Sequence, residues 1–366
     1  MSADACSAIL PLLERLVAFD TRNPPRALGK EGIFPFLAEA LGPAFSCTLT
    51  DLGDGCLSLL AVRGTPSLLF NVHIDTVPAD PGWTRNPLDL LVENDRAIGL
   101  GAADIKGAAA CLLVAAQRTR GDAALLFSSD EEAGTSRCIK AFLDEKHPFT
   151  RVVVAEPTRC QAILEHRGIA SCMGRFNGLG GHASAPRALV DSAVHEATRW
   201  AAQALSFAEE SERAHYKALS GIRFNLGIFQ GGTKSNMIAA ETLVRFGVRP
   251  LPDQDPQTLL ASLTALAQRP GRVSWEPTFI ASPLPAAGVH GSVTARVEES
   301  AALARELALS LGEPVDFWTE AALFSERGIP ALVYGPGDIA QAHTAGEWVR
   351  LEELGQAEAT YERIFG

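Results

Sequence analysis

Four short apolar runs in this chain end in side chains able to bind a metal ion. Leu68–Val72 leads into His73, Ala124–Asp130 into Glu131 and Glu132, Arg151–Ala155 into Glu156, and Ala331–Gly337 into a loop that reaches His343. Runs of this length read as buried strands, and their alternation with helical patterns predicts a largely parallel sheet covered on both faces. In open sheets of that kind, ligands bind beyond the carboxyl ends of the strands. The pattern therefore predicts a single rim carrying His73, Glu131, Glu132, Glu156 and His343. Asp104 joins them from the loop 99–103, just ahead of a helix starting at Lys106.

Taken singly, these residues mean little: a lone His after a strand is more often structural, and a Glu-Glu pair in a loop is usually solvated surface. Gathered together they need a counter-charge. Carboxylates held within ~4 Å of one another repel by about 4 kcal/mol per pair at an effective dielectric of about 20. Imidazole and carboxylate ligands suit zinc, with cobalt or manganese as substitutes. A bridging carboxylate would hold two such ions about 3.5–4 Å apart. Asp75, two residues beyond His73 in extended backbone, points to the same side and can accept the ring N–H. Of the adjacent Glu131 and Glu132, one can serve as ligand while the other takes a proton from the attacking water and passes it to the leaving amine.

A chain of 366 residues exceeds what one core usually holds, so two domains are expected. The first texture comprises a helical stripe over Ala5–Phe19, apolar runs at 57–62, 68–72, 123–127 and 152–155, and helices at 106–118 and 137–143. From Gly168 the period becomes two, with strands at 171–176, 222–229, 243–248 and 273–279 separated by helices at about 187–208 and 256–268. Strand–helix–strand–strand–helix–strand is the split ferredoxin-like arrangement. After the loop Ser282–Gly291 the first texture returns, with helices at 297–311 and 319–326, a strand at 331–334 and a final helix from Leu351. The expected fold is α/β: a largely parallel, doubly wound catalytic sheet from residues 1–167 and 281–366, with a ferredoxin-like α+β domain inserted at 168–280.

A net charge of −11 argues against nucleic acid as a partner, which needs a basic stripe. The opening MSADACSAIL lacks a basic leader pattern, and no stretch approaches the ~20 uncharged apolar residues of a membrane span. The seven cysteines are scattered without a CxxC pair and read as buried thiols of a reducing compartment, so a cytoplasmic location and no membrane partner are expected.

The segments Val72-His73-Ile74-Asp75-Thr76-Val77-Pro78, Gly99…Asp104-Ile105-Lys106-Gly107, Ser129-Asp130-Glu131-Glu132 and Ala155-Glu156-Pro157 stand in the order and spacing of the M20 family, the two-zinc aminoacylases, carboxypeptidases and deacetylases. The chain resembles that family over essentially its whole length. The resemblance implies two zinc ions per subunit: Asp104 bridging, His73 and Glu156 terminal on one ion, Glu132 and His343 terminal on the other. It also implies Glu131 as general base, Asp75 behind His73, and a cis peptide at Asp104–Ile105. The inserted domain is similar to the family's lid and dimerisation module, which implies a homodimer. Gly180–Pro186 resembles the lid motif whose histidine, here His182, reaches the neighbouring subunit's site and stabilises the oxyanion. Segments 232–238 and 246–250 resemble substrate-binding strands, so Asn236 and Arg249 would hold the amino-acid carboxylate, although Gly247 stands where the pattern has Asp. Segments 316–321 and 335–344 look more like the acetylornithine deacetylase branch than the peptidases, with Glu320 lining the side-chain pocket. The implied reaction is hydrolysis of an N-acetyl-amino acid within arginine biosynthesis. N-acetylcitrulline is the first candidate substrate, N2-acetylornithine the second, and other acyl-amino acids or dipeptides follow.

Overall fold

The central strands of the first unit pair side by side because each is apolar on both faces. The computed structural model describes residues 6–25, 28–286 and 292–366. The start of the expected Ala5–Phe19 helix and the end of the Ser282–Gly291 loop lie outside the described residues. By contacts the chain divides into Met1–Leu164 with Thr294–Gly312 and Thr319–Gly366, and a second unit of Glu165–Val293 with Glu313–Trp318. Of the described residues, 165–167, 281–286, 292–293 and 313–318 thus group with the inserted segment. Backbone bonds explain this: His166 and Leu284 exchange N–H···O bonds at 3.1 Å, and Val315 N–H donates to Glu165 C=O at 3.2 Å.

In the first unit a six-stranded sheet runs in the order Ser46–Asp51, Leu57–Arg63, Ala123–Ser128, Leu68–His73, Arg151–Val154, Ala331–Val333. The last four are mutually parallel, and the first two add an antiparallel edge. Period-two alternation sends neighbours to opposite faces. Phe70 meets Tyr361 and Phe365 edge-on, at 5.5 and 5.2 Å. Asn71, next along, faces the start of the Ala321–Glu326 helix on the other side. Helices Ile9–Ala18, Gly107–Arg118 and Leu351–Phe365 cover the Phe70 face. Small side chains let Gly107–Arg118 pack closely, and every residue from Gly107 to Ala116 is buried.

Several elements differ from the sequence expectation. The helix Ile33–Leu41, the edge strand Ser46–Asp51 and a small sheet of Leu91–Glu93, Arg96–Ile98 and Trp348–Arg350 carry too short or too polar a pattern to stand out. The single helix expected at 187–208 is two, Ala188–Asp191 and Ala193–Ser211. Ser192 turns extended between them and caps the second, its hydroxyl accepting the His195 N–H at 3.5 Å.

The second unit holds an antiparallel four-stranded sheet ordered Arg223–Gly231, Glu241–Arg249, Ile169–Asn177, Val273–Ala281. With the helices Ala193–Ser211 and Pro256–Ala265, this is the ferredoxin-like strand order. Its core is aromatic: Trp200 lies 5.0 Å from Trp275 and 5.1 Å from Phe246, and its indole N–H donates to Leu263 C=O at 2.9 Å. No described helix is long and apolar enough to cross a membrane. Of the cysteines, Cys47 is exposed and the other six are buried.

Trp200→Ala removes this packing and the hydrogen bond and should cost about 3–5 kcal/mol in urea unfolding, Trp200→Phe distinctly less; equal costs would show that the ring does not organise the core.

Candidate metal centre

The four parallel strands deliver the rim residues at their carboxyl ends. His73 is the last residue of Leu68–His73, Glu131 and Glu132 follow Ala123–Ser128, and Glu156 follows Arg151–Val154. His343 stands beyond Ala331–Val333, in a left-handed backbone conformation (φ 61°) that a non-glycine residue seldom adopts. Two glycines let that last connection come close. A Cβ on Gly335 would sit 2.6 Å from the Glu156 carbonyl oxygen, and Gly337 (φ 99°) lies against Pro157 and Ala103.

These side chains converge in two groups, His73–Asp104–Glu156 and Asp104–Glu132–His343, each with ligand atoms within 4.8 Å of one another. Asp104 belongs to both and divides its oxygens between them. Oδ1 lies 3.1 Å from His73 Nε2, and Oδ2 lies 3.4 Å from His343 Nε2. His73 Nε2 is also 3.7 Å from Glu156 Oε1, and His343 Nε2 is 2.9 Å from Glu132 Oε1. Two atoms each about 2.0–2.2 Å from a tetrahedral zinc stand about 3.3–3.6 Å apart. The observed separations, 2.9 to 3.7 Å, bracket that span. Each group offers one imidazole, one carboxylate and one oxygen of Asp104. Three protein donors with a fourth position left open is the donor set of a catalytic, not a structural, zinc site. The residues fit a pair of cations.

The electrostatics agree. Burial, then the charge of Glu132, pushes the Glu131 carboxyl well above the usual carboxylate range. Burial also raises Glu156, partly offset by His73. For Asp104, burial is outweighed by the bonds from His343 and His73, which hold it below the usual range. Burial works against charge on His73, but Asp104 and Asp75 overcome it and raise the imidazole well above its ordinary value. Asp104 and Glu132 likewise raise His343. Without cations, protons must neutralise the carboxylates.

Asp75 is fully buried behind His73, with a difference from expectation. The ring Nδ1 lies 3.0 Å from the Asp75 backbone carbonyl and 3.5 Å from the carboxylate. The carboxylate instead accepts the Glu132 N–H at 3.0 Å, tying the two groups together. Glu320 is 1% exposed and accepts the Ser128 hydroxyl at 3.2 Å, and its charge acts on both Glu131 and Glu156. Burial, then the charge of Asp130, raises its carboxyl to about 8.

In the second unit, His182 is exposed and pairs with Met237, beside Asn236. Its Nδ1 lies 2.7 Å from the Ser184 hydroxyl oxygen and accepts the Ser184 N–H at 3.3 Å. Arg249 lies elsewhere. It ends the strand whose first residue, Glu241, pairs with Asn177 near the His182 end, so the strand separates the two by about 26 Å at ~3.3 Å per residue. Within one chain, Asn236 and Arg249 therefore cannot grip the same carboxylate.

Sequence reasoning missed the residues that hold the loops. Asp130 accepts the Arg137 and Cys138 N–H groups at 2.5 and 3.3 Å, fixing the turn that carries Glu131 and Glu132. The Asn23 amide donates to the Ser129 carbonyl at 3.3 Å. Glu347 was also missed. No periodicity marks such residues; an acid inside a short loop, flanked by turn formers, is the only signal.

Fold and rim together define a metal-dependent amidohydrolase. The sequence matches Peptidase family M20/M25/M40 over residues 69–366, and the chain belongs to that family. It is 50% identical to the N-acetyl-L-citrulline deacetylase of Xanthomonas campestris pv. campestris over 99% of this chain and 98% of that protein. It is 29% identical to the acetylornithine deacetylase of Myxococcus xanthus, over 99% of this chain and 97% of that one. Among solved structures, an M20 family metallo-carboxypeptidase from Sulfolobus solfataricus superimposes with a TM-score of 0.73 at 17% identity, covering 100% of this chain and 99% of that one.

Because the metal-free groups hold protons, metal loading should expel them and weaken as pH falls. Calorimetric titration of metal-stripped protein at neutral pH should give heats that differ between buffers of unlike ionisation enthalpy. Identical heats would contradict the proton-filled site.

Proposed function

We propose that this protein is a two-zinc N-acetyl-amino-acid deacetylase whose preferred substrate is N-acetyl-L-citrulline, with cobalt or manganese able to replace zinc. The observation that carries the metal reading is the division of the Asp104 oxygens between two histidine–carboxylate groups. His73 and Glu156 would complete one ion's ligands, Glu132 and His343 the other's. When bound, such ions supply a water ionised near neutrality and polarise the amide carbonyl.

The chain's own groups do the rest. Glu131 stands next to Glu132 but outside both ligand groups, and burial, then the charge of Glu132, raises its proton affinity. Its carboxylate accepts the proton of the attacking water and returns it to the departing nitrogen, freeing acetate and the amino acid. His182 supports the developing oxyanion.

The wide separation of Asn236 and Arg249 supports a site shared between two subunits: His182 and Asn236 would come from one copy and Arg249 from the other, together holding the carboxylate. Leu179, Leu189, Val190 and Met237, 57%, 68%, 47% and 50% exposed in the lid unit, are suited to burial in a homodimer through it. A cytoplasmic role in arginine biosynthesis accords with the citrulline substrate.

The substrate is argued from the 50% identity to the Xanthomonas enzyme. Acetate release should be fastest, by kcat/KM, on N-acetylcitrulline, then N2-acetylornithine, then acetylmethionine and a dipeptide. Glu131→Gln should retain both metals yet lose roughly 10²–10⁴-fold in kcat. Near-normal turnover in that variant would refute Glu131 as base, and a preference for acetylornithine or a dipeptide would refute the substrate.

A further inference from the structure

We infer that Glu347 is a positioning residue for the metal centre, keeping the Asp104 loop and the His343 loop in fixed register; the inference rests on the metal reading above. Glu347 follows His343 closely in sequence and is 1% exposed. Its carboxylate accepts three backbone N–H groups of the other loop: Gly101 on Oε2 at 2.9 Å, and Ala103 and Asp104 on Oε1 at 3.0 and 2.9 Å. Its own carbonyl accepts the Gly99 N–H at 3.0 Å. The loop 99–104 is thus wrapped around a single side chain.

Two features make that wrapping possible. Trp348 pairs with Ile98 in the small sheet, which sets Glu347 beside Gly99. Gly101 adopts φ 79°, where a Cβ would lie 2.8 Å from the Thr76 methyl, and this turn aims successive N–H groups at one point.

The bond to the Asp104 N–H acts on the main chain of the residue that both cations share. Displacing it tilts the Asp104 carboxylate relative to His73 and His343 together. Because Glu347 lies in the loop that delivers His343, the same side chain couples the two ends of the centre. Three N–H groups need a full carboxylate. An amide in its place offers one oxygen and sets an NH2 against a backbone donor.

The test compares Glu347→Gln with wild type, and with Leu263→Ala as a control that loses buried packing in the core of the second unit. Zinc or cobalt is titrated into metal-stripped protein at a temperature where circular dichroism shows each to be folded. Glu347→Gln should bind metal about 10–100-fold more weakly and regain turnover at saturating cobalt. Leu263→Ala should melt earlier but bind metal like wild type. A Glu347→Gln protein that melts earlier yet binds metal normally would follow the control and overturn the proposal. Where Glu347→Gln does not fold, Glu347→Asp, one methylene too short to reach all three donors, must show the weakened binding; normal affinity in it overturns the proposal equally. Failure of wild type to take up metal would instead sink the underlying metal reading, and the positioning role with it.

Discussion

The Asp104 carboxylate sits where four other side chains able to bind a metal meet, with one oxygen toward His73 and the other toward His343. So much negative charge in a buried place is unstable by itself. The metal-free protein answers with protons: burial and mutual repulsion raise Glu131 and Glu156, while His73 and His343 are held in their charged forms. Cations answer the same demand with Lewis acidity added. The folding requirement and the catalytic one are thus a single electrostatic problem.

The scaffold solves the placement problem with strand ends. Neighbouring parallel strands lie about 4.8 Å apart, so residues just past their carboxyl ends start within bonding reach of a shared ion. His73 and Glu156 come from adjacent strands and need little help. Asp104 and His343 come from longer loops, and each needs devices of its own. Gly335 and Gly337 permit backbone contact with Glu156 and Ala103, and buried acids hold the turns. Asp75 is the most economical of these: its backbone carbonyl fixes the His73 ring while its carboxylate holds the Glu132 amide.

What the sequence revealed follows from this division of labour. The positions of His73, Glu131, Glu132 and Glu156 at or past strand ends were legible because each follows a short apolar run. The ferredoxin-like order was legible from period-two strands separated by two helical patterns. The break at Ser192 was hidden because the residues on both sides keep a helical pattern, and only the capping bond to His195 reveals it. The separation of Asn236 from Arg249 was invisible because the strand Glu241–Arg249 that lies between them could not be oriented from sequence alone.

The account turns on Asp104 serving two cations at once. Crystals grown with zinc and measured above and below its absorption edge would test this directly. The account predicts two anomalous peaks per chain, each about 2.0–2.2 Å from a different oxygen of Asp104, one beside His73 and one beside His343. A single peak, or two peaks bound to the same oxygen with His343 turned away, would contradict it.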